Sequence, residues 1–147
     1  MGAKNSIVEK RIMYCETPIS IHSYHIDSMN IVHNSVYVKW FEEIRMVFLD
    51  KYYPYTKMLE QNFSPVIAST EINYKYPLRL FDQPKGKAWV VSFGRAKWIL
   101  KFEIVTKNKI HCTGRQIGYM VDLTRLKPVP MPEELTNKFE KEKLEHE

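Results

Sequence analysis

One amphipathic segment near the start of the chain most constrains the fold. Residues 34–52 carry large apolar side chains at intervals of three and four, which places these side chains on one broad face of a helix. They are Tyr37, Trp40, Phe41, Ile44, Phe48 and Tyr52. Asn34 or Ser35 is expected to supply an N-cap oxygen, and Pro54 to end the helix. An aromatic face about 30 Å long needs a wide apolar surface to cover it, and a β-sheet supplies one.

The rest of the chain is typical of strands separated by turn residues. One strand is predicted within residues 11–26, at least from Pro18 onward. Four more are predicted after the helix, over residues 65–80, 87–93, 96–105 and 110–123. The short connections between them favour antiparallel pairing. The sequence therefore predicts an α+β fold in which one long helix lies across a curved antiparallel sheet of about five strands. Dimerisation is expected to cover the open edge or face of this sheet.

The length of the chain fits one domain over residues 1–147. Residues 1–10 and 136–147 are expected to fray, the latter as part of a short charged helix. No apolar stretch is long enough to cross a membrane, and the first residues lack the apolar centre of a secretory signal. Cys15 and Cys112 form no metal or redox motif, so reduced thiols are expected. We therefore expect a soluble cytoplasmic protein that needs neither a metal nor a membrane.

The chain carries a formal net charge of +5, which favours anionic partners. Nucleic acid is a poor candidate because the basic residues are scattered among acids and no reader motif is present. A phosphorylated small molecule or an acidic protein fits the charge equally well.

The segment from Asp27 to Arg45 carries the most specific motif in the sequence. It resembles the pattern D-x-M-G-x-V-H-H-x-x-Y-x-x-W-F-E-x-x-R of the 4-hydroxybenzoyl-CoA thioesterase family, which has the hot-dog fold. The matching positions are Asp27, Met29, Val32, His33, Tyr37, Trp40, Phe41, Glu42 and Arg45. The segments STEINYKYPLRLFD and RLKPVPMPEEL extend the resemblance over residues 18–135. The resemblance implies hydrolysis of an acyl-CoA thioester in dimers or tetramers, with active sites at the dimer interface and with coenzyme A as part of the substrate.

The resemblance also implies catalytic roles. Asp27 would be the general base or nucleophile, the backbone N–H of Asn34 would polarise the thioester carbonyl, and His33 would orient Asp27 or bind substrate. By residue type alone, an aspartate in such a turn is more often a cap, and His33 is as readily a partly buried histidine satisfied by the backbone. Glu43 on the helix is a reserve candidate.

Two positions depart from the family pattern. Asn30 stands where many relatives have glycine, and asparagine tolerates a left-handed backbone better than most residues. Asn34 stands where many have a second histidine, so any acid–base role of that histidine is absent. These departures bear on rate and substrate choice more than on the fold.

Substrate contacts are predicted from the same resemblance. Arg95 and Lys97 would bind the CoA phosphates, Ser64 and Val66 would line the pantetheine arm, and Lys75 and Arg79 are lesser candidates for the phosphates. The acyl pocket would suit an aromatic or medium-chain group. Its predicted walls are Tyr24, Met29, Tyr37, Trp40 and Phe41.

Three other functions stay open on the sequence. A thioesterase acting on acyl groups held by an acidic acyl carrier protein would suit the positive charge. A non-catalytic acyl- or CoA-binding protein would suit the departures at Asn30 and Asn34. A hot-dog dehydratase is less favoured because its paired histidine and carboxylate motif is not found.

Overall fold

The fold is that of a computed structural model, which describes residues 10–146. Five strands form one antiparallel sheet. They are β1 (Ile12–Pro18), β2 (Phe63–Tyr74), β3 (Lys85–Phe93), β4 (Lys97–Thr106) and β5 (Lys109–Asp122). In space their order is β1-β3-β4-β5-β2, so β1 and β2 are the two edges. The predicted α+β fold with about five antiparallel strands is confirmed. β3, β4 and β5 lie within two residues of their predicted bounds, whereas β2 ends at Tyr74, six residues before its predicted end at residue 80.

The long helix is also confirmed. Helix α1 (Val36–Tyr52) packs against β1 and β3 with its aromatic face buried. Phe41 stacks on Phe102 of β4 with ring centroids 4.6 Å apart, and it lies directly over Gly114 of β5. A Cβ at Gly114 would come within 2.3 Å of the Phe41 ring, so a residue without a side chain is required there. The short helix α2 (Tyr55–Glu60), which Pro54 precedes, had no sequence prediction.

The predicted helix cap is wrong in its chemistry. Ser35 occupies the N-cap position, but its side chain makes no capping hydrogen bond. The first turn is closed by backbone groups instead: the N–H of Val36 donates to the carbonyl of His33 at 3.0 Å, and the N–H of Tyr37 donates to that of Asn34 at 3.3 Å.

The prediction for the first strand is wrong, because the strand lies up to Pro18 and not from Pro18 onward. β1 ends at Pro18, and residues 19–26 form a loop that contains a single 3-10 turn at Ser23–His25. β1 pairs with β3, whose first residue Lys85 lies opposite Pro18. Beyond Pro18 there is no further strand residue to pair with, so the chain leaves the sheet before it reaches α1.

The C-terminal helix α3 (Glu133–Glu145) is longer than predicted, and it buries Leu135 and Phe139. It lies against β1, where the Glu142 carboxylate accepts a hydrogen bond from the backbone N–H of Met13 at 2.6 Å. Met13 has a φ of 55°, within the irregularity of β1 between Ile12 and Cys15. The prediction that residues 136–147 fray did not include this packing, and it stays a prediction. Residues 1–9, which were also expected to fray, lie outside the described part of the chain.

β2 is the long, uncovered edge of the sheet. Its single strand neighbour within residues 10–146 is β5, and most of its residues from Val66 to Glu71 are exposed. Val66 and Ile67 are 46% and 38% exposed, so this edge strand presents apolar β-branched side chains to solvent. The two edges of the sheet therefore differ, because α3 lies along one and the other is open.

Candidate active site

The turn that contains Asp27 is held by its own hydrogen bonds. The Asp27 Oδ1 atom accepts from the backbone N–H groups of Met29 at 2.8 Å and Ile31 at 3.3 Å. The Asp27 N–H donates to the carbonyl of Ile31 at 2.9 Å. Asn30 has a φ of 64°, as expected for a position where many relatives have glycine. The Oδ2 atom of Asp27 accepts no hydrogen bond from residues 10–146, so one carboxylate oxygen anchors the turn and the other is available for chemistry.

The same turn is joined to the start of α1. Ile26 and Val32 form an antiparallel bridge, and the N–H of His33 donates to the carbonyl of His25 at 2.9 Å. Asn34 follows directly. Its backbone N–H has no hydrogen-bond acceptor within the described chain, and it lies one residue before Ser35, the N-cap of α1. This unpaired donor and the partial positive charge of the helix start suit a developing oxyanion.

Histidine and aromatic rings surround the turn. The ring of His25 lies edge-on to Trp40, with centroids 5.5 Å apart, and to Tyr24, at 4.6 Å. The N–H of His22 donates to His25 Nδ1 at 3.0 Å, and burial lowers the pKa of His25 below its usual range. His25 is therefore a neutral ring at pH 7, with its hydrogen on Nε2. Neither His22 nor His25 had a predicted site role, and the alternation of that segment carried no signal for one.

The predicted acyl-pocket residues separate into two groups. Tyr37, Trp40 and Phe41 are no more than 2% exposed, whereas Tyr24 and Met29 are 76% and 74% exposed. Within one chain these residues do not enclose a pocket.

Tyr74, at the end of β2, packs against the start of α1. Its ring packs on that of Tyr37, with centroids 5.3 Å apart, and its hydroxyl donates to the carbonyl of Asn34 at 3.1 Å. Tyr74 contacts two predicted site residues, yet sequence reasoning missed it because it lies outside the motif.

Three further polar residues of the same segment differ in their surroundings. Arg45 donates from Nη1 to Oε1 of the fully buried Gln116 at 2.8 Å, and burial lowers the pKa of Arg45. Glu43 is exposed on α1. His33 is also exposed, which differs from the partly buried histidine that residue type alone suggested.

The predicted substrate-binding residues lie at the far end of the sheet. Val66 and Lys97 both pair with Tyr119 of β5, so these two residues share one row with Ser64 and Arg95 beside it. Ser64 is buried, with its hydroxyl 3.2 Å from that of Tyr55, while Arg95 and Lys97 are exposed. Ser64 and Tyr74 are ten positions apart on β2, a distance of about 33 Å along a strand. A single chain therefore does not bring the two predicted halves of the site together.

Neither cysteine supplies a nucleophile. Cys15 and Cys112 are buried free thiols. Burial raises the pKa of Cys15 to about 11 and that of Cys112 to about 12, so both are protonated at pH 7. No group of three or more histidine, cysteine, aspartate or glutamate residues within residues 10–146 could hold a metal ion.

Known structures share this architecture. The DHNA-CoA thioesterase from Staphylococcus aureus superposes with a TM-score of 0.83 at 23% identity, over 91% of this chain and 95% of that chain. A gentisyl-coenzyme A thioesterase superposes with a TM-score of 0.78 at 17% identity, over 85% of this chain and 99% of that chain. At these identities the likeness establishes the fold, which is the hot-dog fold.

The chain belongs to the Thioesterase-like superfamily, which it matches over residues 21–139. A protein of Aquifex aeolicus named "Putative esterase" is 39% identical over 59 residues. That match spans 40% of this chain and 46% of the relative, so less than half of the relative's length is matched. No helix within residues 10–146 is both long enough and apolar enough to cross a membrane.

Proposed function

We propose that the protein is an acyl-CoA thioesterase in which Asp27 activates the nucleophile. One observation carries this proposal: the Asp27 carboxylate is anchored through Oδ1 and free at Oδ2, beside a helix start with an unpaired N–H at Asn34. Membership of the Thioesterase-like superfamily supports the same reaction class. Within that superfamily, the segment from Asp27 to Arg45 most resembles the 4-hydroxybenzoyl-CoA thioesterase family.

The chemistry needs a base and an oxyanion donor. Asp27 removes a proton from water, and the resulting hydroxide attacks the thioester carbonyl carbon. The Asn34 N–H stabilises the oxyanion, with His33 available to orient water or substrate. When the carbon–sulfur bond breaks, sulfur leaves as the CoA thiolate, and the proton held by Asp27 passes to it directly or through water. In the covalent variant, Asp27 attacks the carbonyl itself, the carbon–sulfur bond breaks to release the CoA thiolate, and water then hydrolyses the mixed anhydride to the free acid and regenerates the Asp27 carboxylate.

A homodimer would complete this site. If the open edges of two β2 strands pair antiparallel, the Ser64 end of one strand comes to the Tyr74 end of the other. Ser64 and Val66 of the partner subunit would then line the pantetheine arm beside Asp27, and Arg95 and Lys97 of the partner subunit would meet the CoA phosphates. The exposure of Val66 and Ile67 supports this pairing, because dimerisation would cover both side chains. Pairing of dimers into tetramers stays a prediction.

The surroundings of Asp27 favour an aromatic acyl group. Tyr37, Trp40 and Tyr74 lie next to the start of α1, and aromatic rings pack well against planar acyl groups. The two similar thioesterases are named for the aromatic acyl groups of DHNA-CoA and gentisyl-coenzyme A. Tyr37 is covered by Tyr74, so substrate contact with Tyr37 requires the Tyr74 ring to shift.

The proposal is tested by Asp27→Asn. An asparagine Oδ1 can still accept from Met29 and Ile31, so the turn should persist while the base is lost. We expect hydrolysis of benzoyl-CoA and short acyl-CoAs, measured as released thiol, to fall by at least about 100-fold. Circular dichroism and melting temperature should remain near those of the wild type.

The matched control is Asp50→Asn, which removes an exposed carboxylate from the far half of α1. It should retain full turnover. Equal turnover by wild type and Asp27→Asn would contradict the catalytic assignment. Binding of acyl-CoA by the wild type with no turnover would instead favour a non-catalytic binding protein.

A further inference from the structure

A polar groove is lined in part by residues 76, 77 and 79, in the segment that follows β2. It has a volume of about 650 Å³ and runs between the loop after β2 and the turn that joins β4 to β5. The N–H of Val32 donates to the carbonyl of Leu78 at 2.9 Å, so the segment that lines the groove also contacts the loop between Asp27 and α1. The volume is in the range of small-molecule sites.

The walls of the groove are tied together by a buried histidine. His111 is 5% exposed, and its Nε2 atom lies 2.7 Å from the Thr106 hydroxyl. Its Nδ1 atom lies 3.1 Å from the carbonyl of Tyr76, which can only accept, so Nδ1 carries the hydrogen. The N–H groups of Lys75 and Tyr76 donate to the His111 carbonyl at 2.9 and 3.2 Å. The groove is therefore fixed in shape by side-chain and backbone bonds, unlike a cleft between independent loops.

The lining is positively charged. Three cationic side chains and one carboxylate line the groove, which gives the lining a formal charge of +2. The cations are Arg79, Lys107 and Lys109, and the carboxylate is Asp82. The Asp82 Oδ2 atom already accepts the backbone N–H of Arg79 at 2.8 Å. Neither the Arg79 guanidinium nor the Lys107 ammonium forms an ion pair with a carboxylate of residues 10–146. These two cations are available for an anion.

Two aromatic side chains accompany the cations. Phe81 is 91% exposed and Tyr76 is 53% exposed, which is high for rings of this size. The Lys109 ammonium lies 5.0 Å from the centroid of the Tyr76 ring. Cationic side chains bind phosphate, and exposed aromatic rings stack on bases. A site that has both is suited to a nucleotide.

We infer that this groove binds a phosphorylated nucleoside, with the phosphates on Arg79 and Lys107 and the base against Phe81 or Tyr76. Two sources share this chemistry: a free nucleotide, and the nucleotide end of a CoA substrate held by the same subunit's Asp27. The second source rests on the proposed function for the hydrolysis, and it would place the CoA phosphates on Arg79 and Lys107 in place of Arg95 and Lys97. The groove is distinct from Arg95 and Lys97, because the length of β4, about 30 Å, lies between them.

The first experiment measures binding without turnover. Adenosine 3′,5′-bisphosphate is titrated into the wild type and into Arg79→Gln, Lys107→Gln and Phe81→Ser by calorimetry. We expect each variant to weaken binding by about tenfold. Lys141→Gln removes the same charge from exposed α3 and should bind like the wild type. No binding by the wild type, or equal weakening in Lys141→Gln, would overturn the inference.

The second experiment distinguishes the two sources. The KM of Arg79→Gln is measured with an acyl-CoA and with the matching acyl-pantetheine, which lacks the nucleotide. A rise in KM for the acyl-CoA alone assigns the groove to the nucleotide end of the substrate. An unchanged KM for both, together with weaker bisphosphate binding, assigns it to a free nucleotide. If the protein hydrolyses neither compound, the proposed function fails, and the binding experiment still decides the groove.

Discussion

At the scale of single residues, the turn before α1 combines two demands on the backbone. Asp27 must accept from Met29 and Ile31, and Asn30 must adopt a left-handed conformation with a φ of 64°. A β-branched residue strongly disfavours that conformation, whereas glycine adopts it freely. The identity of residue 30 therefore controls how firmly the catalytic carboxylate of the proposed mechanism is positioned.

Substitution of Asn30 tests this dependence. Asn30→Gly should change the free energy of unfolding by less than about 1 kcal/mol, whereas Asn30→Val should destabilise the protein by about 1–2 kcal/mol. Urea unfolding at one fixed protein concentration measures both. If Asn30→Val is as stable as Asn30→Gly, the strain assigned to this turn is absent.

The motif indicated which residues form the turn, but it could not indicate how they are bonded. The motif resemblance named Asp27, His33 and Asn34, and one short segment of chain holds all three. Sequence patterns carry no information on which carboxylate oxygen is used, or on the approach of Tyr74 from a strand forty residues away. Contacts of that kind depend on the length and register of β2.

At the scale of elements, periodicity predicted what is local and failed where pairing decides. The aromatic face of α1 needs only the spacing of its own residues. The prediction for β1 is wrong because residues 11–26 have a strand-like composition throughout. β3 begins at Lys85, which pairs with Pro18, so residues of the segment beyond Pro18 have no strand partner in β3. The extent of α3 was underestimated because its charged composition concealed two buried residues, Leu135 and Phe139.

The contact between α3 and β1 makes a prediction for Glu142. Its carboxylate is the hydrogen-bond acceptor for the backbone N–H of Met13. Glu142→Ala should leave that donor unsatisfied and lower the free energy of unfolding by about 1–3 kcal/mol. Glu140→Ala, at an exposed position of the same helix, is the control and should change stability little. Chemical denaturation compares the two, and equal effects would show that the Glu142 contact does not stabilise the protein.

At the scale of the whole molecule, the two predicted halves of the site lie at opposite ends of one sheet. Sequence resemblance assigned Ser64, Val66, Arg95 and Lys97 to the same site as Asp27. The length of β2 between Ser64 and Tyr74 separates the two halves within one chain, so activity is expected to depend on association through β2.

This dependence is tested by Ile67→Asp. The new charge on the open edge should convert the proposed dimer to monomers and remove hydrolysis, because the second half of the site is lost with the partner. Val91→Asp on β3 is the control, since Val91 is 37% exposed and Ile67 is 38% exposed. Sedimentation velocity and thiol release are measured on both variants. A wild type that is monomeric and active would contradict this prediction.

The position of α3 along β1 limits how far such sheets can grow. A sheet with two free edges can add strands from successive molecules without end, as fibrils do. Within residues 10–146, α3 lies along the β1 edge, so joining through β2 uses the remaining open edge of the described sheet. Loss of α3 would convert a self-limiting contact into an open-ended one, and concentrated samples of such a protein should form filaments.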